Sequence, residues 1–168
     1  MITLGIETSC DETALCLLET RISKSAEEQD IFEYRILGNI IHSQVEMHRE
    51  YGGVFPNLAK REHIKNLPIL FEKIKKDSEI SEDKIDIVAV TQGPGLEPAL
   101  WTGITFTQEL SKRLNIPVIP INHMEGHIVS TLLSSSIPHS NFGKLKHINF
   151  PALAILISGG HTEIVKVN

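Results

Sequence analysis

His123-Met124-Glu125-Gly126-His127 sets two imidazoles four residues apart. On a helix that spacing puts both rings on one face, where they can reach one ion. A bare HxxxH also describes two unrelated surface histidines, so placement matters. This one follows directly on the apolar run 116–122, at a strand end, where α/β proteins commonly keep their sites. The expectation is one divalent metal held by His123 and His127, iron or zinc, since imidazole suits both, as it does nickel. Two ligands leave a site incomplete, so a third, a carboxylate, is expected elsewhere. Glu125 stands two residues after the first histidine, which does not match the HExxH of zinc proteases.

Three turns could hold an anion beside such an ion. Ser158-Gly159-Gly160-His161-Thr162 lies between two strand patterns, and its glycines would let backbone N–H groups approach a ligand. Thr8-Ser9-Cys10-Asp11-Glu12-Thr13 offers hydroxyls and N–H groups for a phosphate. In that turn Asp11 or Glu12 could bind a cation or position water. Each turn equally suits an ordinary hairpin. Gln92-Gly93-Pro94-Gly95-Leu96 would aim a helix N-terminus at a phosphate, although no Gly-Lys-Ser/Thr follows to make a P-loop. Cys10 has no His or Asn arrangement to activate it and is read as structural. His42 and His63 are read as surface residues of a strand and a helix, and Trp101 as a packing residue.

The elements that must position these groups follow from periodicity. Residues 2–8 and 13–18 read as a hairpin, 19–30 as a charged loop, and 31–45 as a long third strand. Asn57 is the expected N-cap of a helix reaching about residue 76, with Leu58, Ile64, Leu67, Phe71 and Ile74 as its apolar face and Pro68 expected to bend or break it. Strand 85–91, helix 97–114, strand 116–122 and helix 123–133 follow. After a polar stretch, 151–158 and 162–167 form a second hairpin. Three leading strands and then alternating helices and strands describe an α/β domain, a mixed sheet with helices on both faces. The late hairpin repeats the opening one. The expected domains are therefore 1–145 and, at 146–168, the start of a second similar subdomain that is cut short.

The chain has 168 residues, 41% apolar and 22% charged, an ordinary globular balance. Its net charge of −5 excludes a generally basic nucleic-acid binder, so any RNA phosphates must be met by a local patch or a partner. One Trp and two Tyr give little support for a base-stacking surface. Two cysteines are too few for a disulfide framework, no signal-peptide pattern opens the chain, and no uncharged apolar run approaches about 18 residues. A cytoplasmic protein without a membrane span is expected.

Five ordered stretches resemble the TsaD family of threonylcarbamoyl transferases, once labelled glycoproteases. They are GIETSCDETA at 5–14, HREYGGVFPNLAKREH at 48–63, TQGPGLEPALWTG at 91–103, NHMEGHI at 122–128 and LISGGHTEIV at 156–165. The resemblance, closer to the bacterial branch, implies an actin-like (ASKHA, ribonuclease H-like) pair of subdomains. It implies a metal on His123 and His127, completed by an aspartate from the second half. It implies a substrate site lined by Leu156, Ile157, Ser158, Gly159 and Gly160, with His161 and Ser9 beside it.

The implied reaction moves a threonylcarbamoyl group from threonylcarbamoyl-adenylate to the exocyclic amine of adenosine 37 in tRNAs that read codons starting with A. The implied partners are a TsaB-like paralogue and a TsaE-like ATPase. A metalloprotease and a non-catalytic TsaB-like scaffold are the alternatives. The 168-residue chain alone is expected to be inactive.

Overall fold

The computed structural model describes residues 1–24, 30–133, 142–146, 148–157 and 162–168. Strands β1 (Ile2–Glu7), β2 (Glu12–Lys24) and β3 (Asp30–Ser43) form an antiparallel meander. Strands β4 (Ile87–Gly93) and β5 (Val118–Asn122) extend it beyond β1, both in parallel. With the two-residue β6 (Gly143–Lys144) on β3, the sheet order is β5-β4-β1-β2-β3-β6. A meander followed by two parallel strands on the β1 side is the actin-like, ribonuclease H-like arrangement expected from the sequence. A separate two-stranded sheet joins β7 (Ala152–Ile157) to β8 (Thr162–Val167). No helix among the described residues is long and apolar enough to cross a membrane.

The helices are α1 (Val45–His48), α2 (Pro56–Ser78), α3 (Glu97–Leu114) and α4 (His123–Ser130), with single 3-10 turns at Arg49–Tyr51 and Glu82–Lys84. Alternation in β1 and β2 sends Leu4, Ile6, Leu15 and Leu17 to one face, each at most 2% exposed. There they meet Leu67, Phe71 and Ile74 of α2 and Leu110 of α3 in one core. Each such side chain stabilises the fold by about 1.5–3 kcal/mol relative to exposure.

That burial explains why Pro68 does not break α2. The helix runs through it, with Pro68 on the solvent side and Leu67, Leu70, Phe71 and Ile74 buried around it. A helix-interior proline costs about 3 kcal/mol, which two buried neighbours offset. Asn57 is not the N-cap. Phe55 holds that position in extended conformation, with Pro56 starting the helix. Leu67, Phe71 and Ile74 are buried as expected, but Ile64 is 56% exposed, while its neighbour His63 is fully buried rather than a surface residue.

Of the charged stretch read as a loop, residues 19–24 and 30 are strand, because their charges pair across the sheet. Glu19 opposes Arg35 and Arg21 opposes Glu33 in the β2–β3 register. Arg35 Nε donates to Glu19 at 2.9 Å and Arg21 Nε to Glu33 at 2.8 Å. Phe142 lies 3.7 Å and 5.0 Å from the two guanidinium carbons, adding cation–π contact.

Helix α3 lies tight on the end of β1. Thr8 Oγ1 donates to the Ala99 carbonyl at 3.0 Å, and a Cβ on Gly103 would stand 2.5 Å from the Thr8 hydroxyl oxygen. Any larger residue at 103 would push the helix off the strand. Trp101 points away from this contact. It is 54% exposed and lines a groove with Ile64, Pro68 and Phe106, so it is not a core packing residue.

His63 ties α2 to the β1–β2 turn. The Thr13 hydroxyl donates to its Nδ1 at 2.8 Å, and its Nε2–H donates to the Cys10 carbonyl at 3.0 Å. Burial pushes this imidazole below its ordinary 6.5, outweighing the Cys10 carbonyl and the charges of Glu7 and Asp11, which pull upward. A depressed native value means that the unfolded chain binds the proton more tightly. The neutral ring's contribution is therefore complete above the unfolded pKa and is lost as pH falls below it. Urea midpoints should fall as pH drops below about 6.5, and His63→Gln should flatten that limb. Equal slopes in the two proteins would remove His63 from the acid response.

Candidate functional site

The parallel strands β1, β4 and β5 all end on the same side of the sheet, at Glu7, Gly93 and Asn122. Crevices at such carboxyl ends are where open α/β sheets place ligands. Asn122 closes β5 and also starts α4. Its Oδ1 accepts from the N–H groups of Met124 at 2.8 Å and Glu125 at 3.2 Å, a side-chain cap on two orphan donors. His123 is thereby fixed at the first helical position, with His127 one turn later.

The two rings converge. Their Nε2 atoms are 3.1 Å apart and their planes cross at 81° with centroids 4.5 Å apart. Two nitrogens at the usual ~2.0–2.1 Å from a tetrahedral ion would stand roughly 3.3 Å from each other. The donor pair therefore fits a divalent metal.

The other nitrogen of His123 faces Glu7. Its Nδ1–H donates to Glu7 Oε2 at 3.1 Å, which leaves the Nε2 lone pair directed at His127. A carboxylate behind a ligating imidazole is the usual means of fixing tautomer and ring orientation. Glu7 is itself held by the Ser9 N–H and the Thr91 hydroxyl. Burial pushes the Glu7 carboxyl upward, but the hydrogen bonds from Ser9 and Thr91, with the nearby His123, outweigh it and hold the group below the usual carboxylate value.

A cleft of about 310 Å³ surrounds the pair, lined by Ser9, Cys10, Pro94, Gly95, Leu96, His123, Met124, His127, Leu156 and Ile157. The structure thus brings together His123, His127, Ser9, Leu156 and Ile157 from the expected site. Gly95 is needed for this closeness. A Cβ there would stand 2.7 Å from the Ser9 carbonyl, which already accepts from the Leu96 N–H at 2.7 Å.

The acidic residues of the opening turn sit differently. Asp11 lines a neighbouring depression with His48, Arg49 and Val54, and Glu12 accepts from the Ser43 hydroxyl at 3.3 Å. Burial and then the charge of Asp11 raise the Glu12 carboxyl above its ordinary value. Ser158, Gly159, Gly160 and His161 lie outside the described residues. The Cys10 thiol, although in the cleft wall, is pushed up to about 11 by burial and by Asp11, so it stays protonated near neutrality.

Glu7 was not singled out from the sequence. The signal available was a carboxylate closing an otherwise apolar strand, where the alternation of Leu4 and Ile6 leaves it on the opposite face. Among the described residues no group of three or more His, Cys, Asp or Glu has metal-binding geometry.

Comparison with known proteins gives a consistent picture. The family model described as TsaD: tRNA N6-adenosine threonylcarbamoyltransferase matches residues 35–168. A relative of that name from Nitrosomonas europaea is 44% identical over 168 residues, 100% of this chain and 43% of its own. One from Polynucleobacter asymbioticus is 46% identical over 169 residues, with 100% and 43% covered. One from Thermosipho melanesiensis is 40% identical over 167 residues, with 99% and 44% covered. The chain spans less than half the length of these relatives. Among solved structures, YeaZ from Pseudomonas aeruginosa superposes with a TM-score of 0.46 at 18% identity, over 72% of this chain and 43% of that one. Thermus thermophilus RuvC superposes with a TM-score of 0.49 at 13% identity, over 77% and 68%.

Because the Asn122 cap fixes where α4 begins, Asn122→Ala should cost about 0.5–2 kcal/mol and loosen the His123–His127 approach. Urea unfolding reads the first effect. Histidine ring NMR signals read the second, and unchanged ring signals would mean that the cap does not position the pair.

Proposed function

For a chain that belongs to the TsaD family of tRNA N6-adenosine threonylcarbamoyltransferases, we propose that this cleft is the acyl-donor half of the active site in the complete protein. The reaction joins the threonylcarbamoyl carbonyl to the exocyclic amine of adenosine 37 of tRNA. A C–N bond forms, the bond from that carbonyl to the adenylate phosphate breaks, AMP leaves, and the amine gives up one proton. The observation that supports this reading is the 3.1 Å approach of two imidazole Nε2 atoms inside the cleft.

His123 and His127 would hold one divalent metal, iron or zinc, which when bound polarises an oxygen of the donor as a Lewis acid. The chain's own residues then divide the remaining tasks. Glu7 keeps the Nδ1 proton of His123 and so keeps its Nε2 free to bind. Pro94, Leu96, Met124, Leu156 and Ile157 supply apolar walls for an adenine ring and help to exclude water. Ser158, Gly159 and Gly160 are assigned N–H donors to the adenylate, with His161 and Ser9 beside them. Asp11 and Glu12 are assigned the departing proton. The raised Glu12 carboxyl suits that role, since it is a stronger base than a free carboxylate.

Phosphate contacts to tRNA would be shared with a TsaB-like paralogue and a TsaE-like ATPase, as suits a chain of net charge −5. A tRNA substrate points to the cytoplasm. The paired imidazoles weigh against a purely scaffolding paralogue, and the HxxxH spacing weighs against a metalloprotease.

The test uses the complete protein that contains this chain. His123→Ala should remove the bound metal, read by elemental analysis, and abolish modification of adenosine 37, read by nucleoside mass spectrometry. Glu7→Gln should weaken metal affinity roughly 10–100-fold. Unchanged metal content together with unchanged modification in His123→Ala would exclude the site.

A further inference from the structure

Behind the cleft wall lies a buried polar chain with no assigned task. His48 is 4% exposed, and Gln44 and His63 are fully buried. The backbone N–H of Phe55 donates to His48 Nδ1 at 3.2 Å, so the His48 proton must sit on Nε2. Nε2–H then donates to Gln44 Oε1 at 3.1 Å. That contact orients the Gln44 amide, whose Nε2 lies against the His63 ring, 3.4 Å from Nδ1 and 3.5 Å from Nε2, with the Thr13 hydroxyl closer to Nδ1 at 2.8 Å. The His63 Nε2–H completes the chain at the Cys10 carbonyl, 3.0 Å away, which leaves Nδ1 of the neutral ring as the acceptor. The Phe55 N–H fixes His48 in the form protonated at Nε2 alone, and the Cys10 carbonyl requires a proton on His63 Nε2. Glu7 and Asp11 are the carboxylates near His63, and His48 is its neighbouring base.

The ends of this chain matter more than its middle. One end is Phe55, at the close of the Gly52-Gly53-Val54 loop and against α2. The other is Cys10, in the wall of the cleft. Three successive carbonyls of the opening turn are held from outside: Ser9 by the Leu96 N–H at 2.7 Å, Cys10 by His63, and Asp11 by the Gln44 N–H at 2.8 Å. Gln44 thus serves the turn twice, through its backbone and through its side chain.

We propose that His48 and His63 are positioning residues which, through Gln44, fix the Ser9–Cys10 wall of the cleft according to the placement of the Gly52–Phe55 loop. This deepens the reading of the cleft as the donor site, since the wall they set belongs to it.

The experiment is made on the full chain with ¹⁵N-labelled histidine and backbone. In the native protein both His48 and His63 should give the neutral tautomer protonated at Nε2. His63→Leu should move the Ser9 and Cys10 amide signals and weaken binding of AMP, added as the free nucleotide, at least tenfold. His63→Gln, which keeps a donor toward the Cys10 carbonyl, should restore both. His48→Ala, two links away, should move the same two signals, and it serves as the test if His63→Leu does not fold. The opposite tautomer at either histidine, or Ser9 and Cys10 signals unmoved by His48→Ala, would overturn the proposal. Failure of the native protein to bind AMP would instead count against the donor-site reading, while the tautomers and the Ser9 and Cys10 signals would still decide this one.

Discussion

A carboxylate at the end of a buried strand costs several kcal/mol unless its oxygens are satisfied, and Glu7 is satisfied from three directions. The Ser9 N–H comes from its own chain, the Thr91 hydroxyl from β4, and the His123 Nδ1–H from the helix after β5. These donors meet only if β1 and β4 run parallel and adjacent, with β5 beyond them. The ladder irregularity between Thr91 and Gly93 lies at this point, next to the residues that the site uses. Sheet topology and site geometry are thus one constraint. Moving α4 away would strand the carboxylate, and removing the carboxylate would free the His123 ring to turn.

The same economy appears in the opening turn. Its backbone bends sharply between β1 and β2, yet its carbonyls are not left to solvent. Leu96, the residue just before α3, takes one, His63 of α2 the next and Gln44 the third. Close approach without side chains in the way is provided by Gly95 under Ser9 and Gly103 under Thr8. The cleft wall is therefore rigid for reasons that lie outside it, as precise placement of reacting groups requires.

Much of this was legible in the chain itself. Period-two and period-3.6 patterns located β1, β3, β4, α3 and the β7–β8 pair to within a residue or two, because one-sided burial leaves a clear signal. The HxxxH spacing identified the converging rings, because helix geometry alone makes residues four apart neighbours. What stayed hidden depended on partners distant in sequence. Charges at 19–24 read as loop, since only a facing strand with Arg35 and Glu33 turns them into ladder pairs. His63 read as surface and Ile64 as core, since a histidine is comfortable inside only when Thr13 and the Cys10 carbonyl are waiting for it. Glu7 read as one polar residue in a motif, because its role needs Thr91 and His123, the latter 116 residues away.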